Sequence, residues 1–174
     1  LAFLDLVSKR NQEFFDFETT QIVIPNTVVL CVDKFDEFME QNQLYGIAMS
    51  DNASDEEILQ HFLRAKLPRS VIADLYAYLK AVDSPIAIRS SSLLEDAHYQ
   101  PFAGVYSTYM VPNFKGHRIT TLMMVCEAIK AVYASVYYRS SKSYMKATKN
   151  VISREKMAVV LQEVCGKQYG NRFY

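Results

Sequence analysis

Apolar residues recur along this chain in two rhythms, one close to the helical period and one of strict alternation, and together they mark out a series of helices and short strands. From Leu1 to about Phe15 the apolar positions follow a helical period. Gln21 to Val32 is rich in isoleucine and valine around Pro25-Asn26, which predicts two short extended pieces separated by a turn. Asp33 to Gln43 is an amphipathic helix through Phe35, Phe38 and Met39. Ser54 with Glu57 forms a capping-box pattern ahead of Ile58, Leu59, Phe62 and Leu63. Pro68 suits the first turn of the next helix, whose apolar face is Val71, Leu75, Tyr78 and Val82.

Beyond that point the pattern changes. Pro85-Ile86-Ala87-Ile88 has the length and flanks of a short buried strand, so that Arg89 and Ser90 to Ser92 emerge at its end. Phe102-Ala103-Gly104 predicts a turn leading into the alternating run Val105 to Val111. A long helix is expected from about Arg118 toward Lys146, with Leu122, Cys126, Ile129, Tyr133 and Val136 on its core face. Met157 to Leu161 is a buried strand by composition and runs into Gln162-Glu163-Val164-Cys165-Gly166. The coarse order is helix, two strands, several helices, then strand pairs separated by a long helix. With no proline-rich linker, repeat or low-complexity tract, residues 1–174 are expected to lie within one domain or part of a larger one.

Charge narrows the partners. Nineteen basic and nineteen acidic residues leave a formal charge of zero, so no global field draws in nucleic acid or an anionic membrane, and any anion site must be local. The aromatic residues Tyr133, Tyr137, Tyr138 and Tyr144 read as packing on a helix rather than as a platform for bases. No apolar run is read as reaching a membrane-spanning length, and Leu1 to Val7 is too short for a secretory signal; cytoplasm is the expected compartment. Cys31, Cys126 and Cys165 are far apart and show no metal-ligand spacing with each other or with His61, His98 and His117, so they are expected to be reduced thiols in or near the core. No metal ligand is assigned within the chain. Arg139 is expected to anchor the end of its helix by an ion pair.

The candidate chemistry lies between Ile88 and Thr108. The guanidinium of Arg89 can grip two phosphate oxygens at once, the hydroxyls of Ser90 to Ser92 add donors without charge, and a turn at Gly104 can aim backbone N–H groups at an anion. Taken singly, a strand-end arginine is ordinarily a surface ion-pair partner, and a hairpin glycine ordinarily serves backbone geometry. In combination they form a string, Arg-Ser-Ser, then Glu95-Asp96, then Phe102-Ala103-Gly104 before a strand carrying Thr108, that resembles the nucleotide-binding domain of the phosphoenolpyruvate synthase and pyruvate phosphate dikinase family. The Phe-Ala-Gly segment is closer to the synthase branch, and rifampin phosphotransferase shares that pattern. Ile24-Pro25 through Phe38, Ala134-Ser135 to Tyr144, and Met157 to Val164 also resemble family segments. Val105-Tyr106 stands where glutamines are common, and Met145 replaces a frequent arginine.

The resemblance implies an α+β fold of ATP-grasp-like architecture, with most of the first lobe and the start of the second in residues 1–174, as a partial ATP-binding domain of a larger phosphotransferase. It implies ATP as ligand, with Arg89 as the catalytic and phosphate-binding residue and Gly104 and Thr108 beside it. The strand at Gln162, Glu163 and Cys165 would receive the adenine, largely through its backbone. Magnesium ligands and a lysine loop are implied outside residues 1–174, and the chain alone is expected to bind ATP weakly. The phosphoryl group would pass from ATP to a histidine on a swivelling domain and then to pyruvate. The alternatives are a related dikinase or antibiotic phosphotransferase with another acceptor, or a non-catalytic ATP-grasp-like module for assembly or regulation.

Overall fold

In the computed structural model, residues 2–11, 16–17, 20–21, 24–92, 106–114, 116–148, 152, 155–170 and 172–173 are described. Helix α1 (Ala2–Arg10) is followed by a small hairpin of β1 (Asp16–Phe17) and β2 (Thr20–Gln21), then by strand β3 (Thr27–Leu30). Four helices come next, α2 (Val32–Gln41), α3 (Tyr45–Met49), α4 (Asp55–Arg64) and α5 (Arg69–Ala81). Strands β4 (Ile86–Ser92) and β5 (Thr108–Val111) lead to α6 (Arg118–Ser135) and α7 (Arg139–Ala147). Strand β6 (Met157–Glu163) and a second small hairpin, β7 (Gln168–Tyr169) with β8 (Arg172–Phe173), complete the order. Mixed helices around an antiparallel sheet make this an α+β fold, as the resemblance implies.

The main sheet runs β3-β6-β4-β5, antiparallel throughout. Side chains alternate between its faces, and paired residues share a face. One face carries Leu30, Ile86, Ile88, Val111, Met157, Val159 and Leu161, all buried. Helices α2 and α6 lie against the sheet, and α4 and α5 pack on α6. Between these layers sits an aromatic cluster: Tyr133 stacks edge-on to Phe35 at 5.0 Å and lies 5.4 Å from Phe38, and Phe62 touches both Phe38 and Tyr137. Edge-on and tilted pairs of this kind let each ring's positive edge meet a neighbour's negative face.

The capping box forms as expected: Ser54 Oγ accepts from the amide of Glu57 at 3.2 Å, and Glu57 Oε2 accepts from the amide of Ser54 at 2.8 Å. Those bonds to its ionised form hold the Glu57 carboxyl below its usual range. Pro68 caps α5, and Val71, Leu75, Tyr78 and Val82 are buried.

Several expectations are corrected. Helix α1 ends at Arg10 rather than near Phe15. The chain between Arg118 and Lys146 is not one helix: Tyr138 is extended (ψ 159°) and separates α6 from α7. The break is satisfied by side chains, because Asp55 Oδ1 accepts from the amide of Arg139 at 2.8 Å and the Ser141 hydroxyl donates to the Ser135 carbonyl at 2.7 Å. The core line of α6 also rotates. Thr121, Val125, Ile129 and Val132 are buried, whereas Leu122 and Cys126 are half-buried at the flank, since the helix is covered by the sheet on one side and by α4 and α5 on another. By length and composition, residues 118–147 do pass as a possible membrane span; 56% of that apolar window is buried inside the fold, where it builds the core. Cys31 and Cys165 are exposed rather than in or near the core, whereas Cys126 is half-buried against it.

Candidate functional site

The face of the sheet opposite α2 and α6 carries two rows of paired residues. One runs Thr27, Gln162, Ala87, Met110, and the next Val29, Val160, Arg89, Thr108. Valine and methionine on this face stay in solvent, Val29 at 50% and Met110 at 68% exposure. Where the rows meet the end of β6 there is a cavity of about 460 Å³, lined by Pro25, Ala87, Arg89, Thr108, Met110, Gln162, Glu163, Val164 and Cys165.

Arg89 does not stand at the end of its strand, because β4 continues through the serines to Ser92. It sits mid-strand, directly opposite Thr108 on β5 and Val160 on β6. Its exposed side chain lines the cavity, and among the described residues no ion pair engages its guanidinium. Gln162 donates from Nε2 to Thr27 Oγ1 at 3.3 Å, and Thr27 in turn donates to the Pro25 carbonyl at 2.9 Å. Glu163 Oε2 accepts from Asn26 Nδ2 at 2.8 Å. Tyr78 donates to the Asn26 carbonyl at 3.2 Å; burial, with the Glu163 carboxylate adding to it, pushes this phenol up to about 12, so it remains a donor.

The backbone at the cavity rim has a definite order. The amide of Glu163 donates to the Asn26 carbonyl at 2.9 Å, and that of Val164 to the Pro25-proximal strand's counterpart, the Pro85 carbonyl, at 2.8 Å. The next amide, that of Cys165, has no partner among the described residues.

Arg89, Thr108, Gln162, Glu163 and Cys165 are thus gathered at one cavity. Gly104 and His98 lie outside the described residues. Arg139 is elsewhere, at the start of α7; Asp55 holds its backbone amide, and among the described residues no ion pair engages its guanidinium, so the expected ion-pair anchor is replaced by a main-chain one. No group of three or more His, Cys, Asp or Glu side chains able to hold a metal occurs among the described residues. Asn26, Thr27 and Tyr78 were missed. The signal for the first two was the Pro25-Asn26 turn itself, but its partner on β6 lies more than a hundred residues away.

Residues 10–170 match the family model described as the pyruvate phosphate dikinase AMP/ATP-binding domain. The chain belongs to that family. Two curated relatives give the dikinase and synthase family its context. The chain is 28% identical over 139 residues to an uncharacterized phosphotransferase, YvkC, of Bacillus subtilis, covering 80% of this chain and 15% of that protein. It is 30% identical over 133 residues to a phosphoenolpyruvate synthase of Aeropyrum pernix, covering 72% of this chain and again 15% of the relative. The chain thus spans about 15% of the length of these members of the family.

Proposed function

We propose that residues 1–174 are a partial, ATP-grasp-like nucleotide-binding domain of a larger phosphoenolpyruvate synthase-like phosphotransferase. The single observation that carries this reading is the convergence of Arg89, Thr108, Gln162, Glu163 and Cys165 on one cavity of a chain belonging to the AMP/ATP-binding family. In this reading the adenine meets the end of β6, where the free Cys165 amide donates to a ring nitrogen. The phosphates run along the second row toward Thr108 and Arg89, whose fixed charge and planar fork suit phosphate oxygens.

The 174-residue chain supplies only part of a phosphoryl-transfer site. Among the described residues no group of three or more His, Cys, Asp or Glu side chains forms a metal cluster, and the Glu163 carboxylate is engaged by Asn26. The role left to this chain is to bind and orient ATP and to neutralise phosphate charge. Transfer to a histidine on a mobile domain, and from there to pyruvate, belongs to the rest of the protein in this proposal.

The test is ATP binding by calorimetry with the full-length protein. Arg89→Ala should weaken Kd roughly ten- to hundred-fold, as loss of a hydrogen bond from a charged group costs about 1.5–3 kcal/mol. Its melting temperature should hold, because the side chain is exposed. Arg139→Ala should bind as wild type does. Equal affinity for Arg89→Ala and wild type would overturn the phosphate role, and ATP binding without any ATP-dependent phosphorylation of the protein would favour a regulatory module.

A further inference from the structure

Residues 93–105 connect β4 to the approach of β5, and both flanks of this connection are held by the same short stretch of chain just before and at the start of β6. On the departing side Ser92, 4% exposed, pairs in register with Met157. On the returning side Tyr106, 6% exposed, donates its hydroxyl to Glu155 Oε1 at 3.2 Å. Glu155 is itself only 6% exposed. A carboxylate in that setting needs hydrogen bonds to offset its lost hydration, and a shape-matched apolar pair would serve stability as well. What the polar pair adds is direction, since few placements of the Tyr106 backbone satisfy the bond.

That direction matters two residues later. Tyr106 and Ser107 precede the β5 ladder, and Ser107 is held instead by its amide donating to the buried Ser135 Oγ at 3.4 Å. The ladder then opens with Thr108 opposite Arg89 at the cavity. We propose that Tyr106 and Glu155 are a positioning pair for the phosphate end of the nucleotide site. Their bond fixes where the chain re-enters the sheet, and so how Thr108 is presented beside Arg89. This inference rests on the nucleotide reading above.

Calorimetry on the full-length protein with two probes, ATP and adenosine, separates positioning from bulk stability. Tyr106→Phe removes only the hydroxyl and should raise the ATP Kd about ten-fold while moving the adenosine Kd less than about two-fold. Glu155→Gln keeps an acceptor and should stay close to wild type, whereas Glu155→Ala should match Tyr106→Phe. The double variant should lose clearly less than the sum of the two single losses, because the Tyr106–Glu155 bond is common to both. Unchanged ATP affinity in Tyr106→Phe and Glu155→Ala, or equal weakening of ATP and adenosine, would overturn the pair's role, even with a lowered melting temperature. If Tyr106→Phe fails to fold, Glu155→Ala against Glu155→Gln decides by the same ratio. A wild-type protein that binds neither ATP nor adenosine would instead sink the nucleotide reading.

Discussion

Tyr133 shows how much one atom can matter in this core. Its ring is fully buried among Phe35 and Phe38, yet its hydroxyl has no hydrogen-bond partner among the described residues. Burial pushes its pKa well above the ordinary phenol value. A buried donor left unmade costs about 1–3 kcal/mol, against which the ring's packing is unchanged by loss of the oxygen. Tyr133→Phe should therefore raise the unfolding free energy by about 1 kcal/mol, read as a higher urea midpoint at constant slope. Arg89 illustrates the opposite case, a charge at a cavity with no ion-pair partner among the described residues. Its residue type and its strand were readable from the sequence; its position opposite Thr108 was not, because pairing across strands is set by register rather than by local pattern.

At the scale of elements, the ends of helices were easier to read than their middles. A capping box needs only four consecutive residues, so Ser54 and Glu57 announced α4 directly. Ser54→Ala should cost about 1 kcal/mol in denaturant unfolding. Asp55 has a second task, because its carboxylate also accepts the first amide of α7. Asp55→Ala should consequently destabilise more than Glu56→Ala on the same first turn, and urea titration of the two variants compares them. The split between α6 and α7 was hidden because the helical apolar period continues through Val136 while the interruption is made by contacts with distant residues. Short α3, at Tyr45–Met49, offered too few residues for a period to show.

The whole molecule carries a shared alkaline liability. Burial pushes Tyr78 and Tyr138 up to about 12, and Tyr133 and Tyr137 further, against an ordinary value of 10.0. Each folded-state value lies above the unfolded one. The associated stability is thus present in full below about pH 10 and is lost as pH rises through the folded values. Urea midpoints should hold up to about pH 9 and fall steeply between about pH 10 and 12, with phenolate absorbance appearing together with unfolding. A midpoint independent of pH across that window would contradict the burial of these phenols. Periodicity supported the individual helices and strands and the resemblance implied an α+β fold, but the strand order β3-β6-β4-β5 was beyond periodicity, since it places elements from the two ends of the sequence side by side.

That order bears on how the protein is made. Strand β6 is the last of the four to leave the ribosome, yet it pairs with both β3 and β4; Thr27 waits for Gln162 across a separation of 135 residues. Until then β3 has no neighbour in the sheet, whereas β4 and β5 can already zip together as a local hairpin. Pairings this distant are slow to form, and unpaired edges are where nascent chains stick to one another. While the residues between β3 and β6 are being made, the nascent chain therefore keeps the open-face row at Val29 exposed and unpaired, which makes β3 the segment where chaperone capture over that stretch of translation should concentrate.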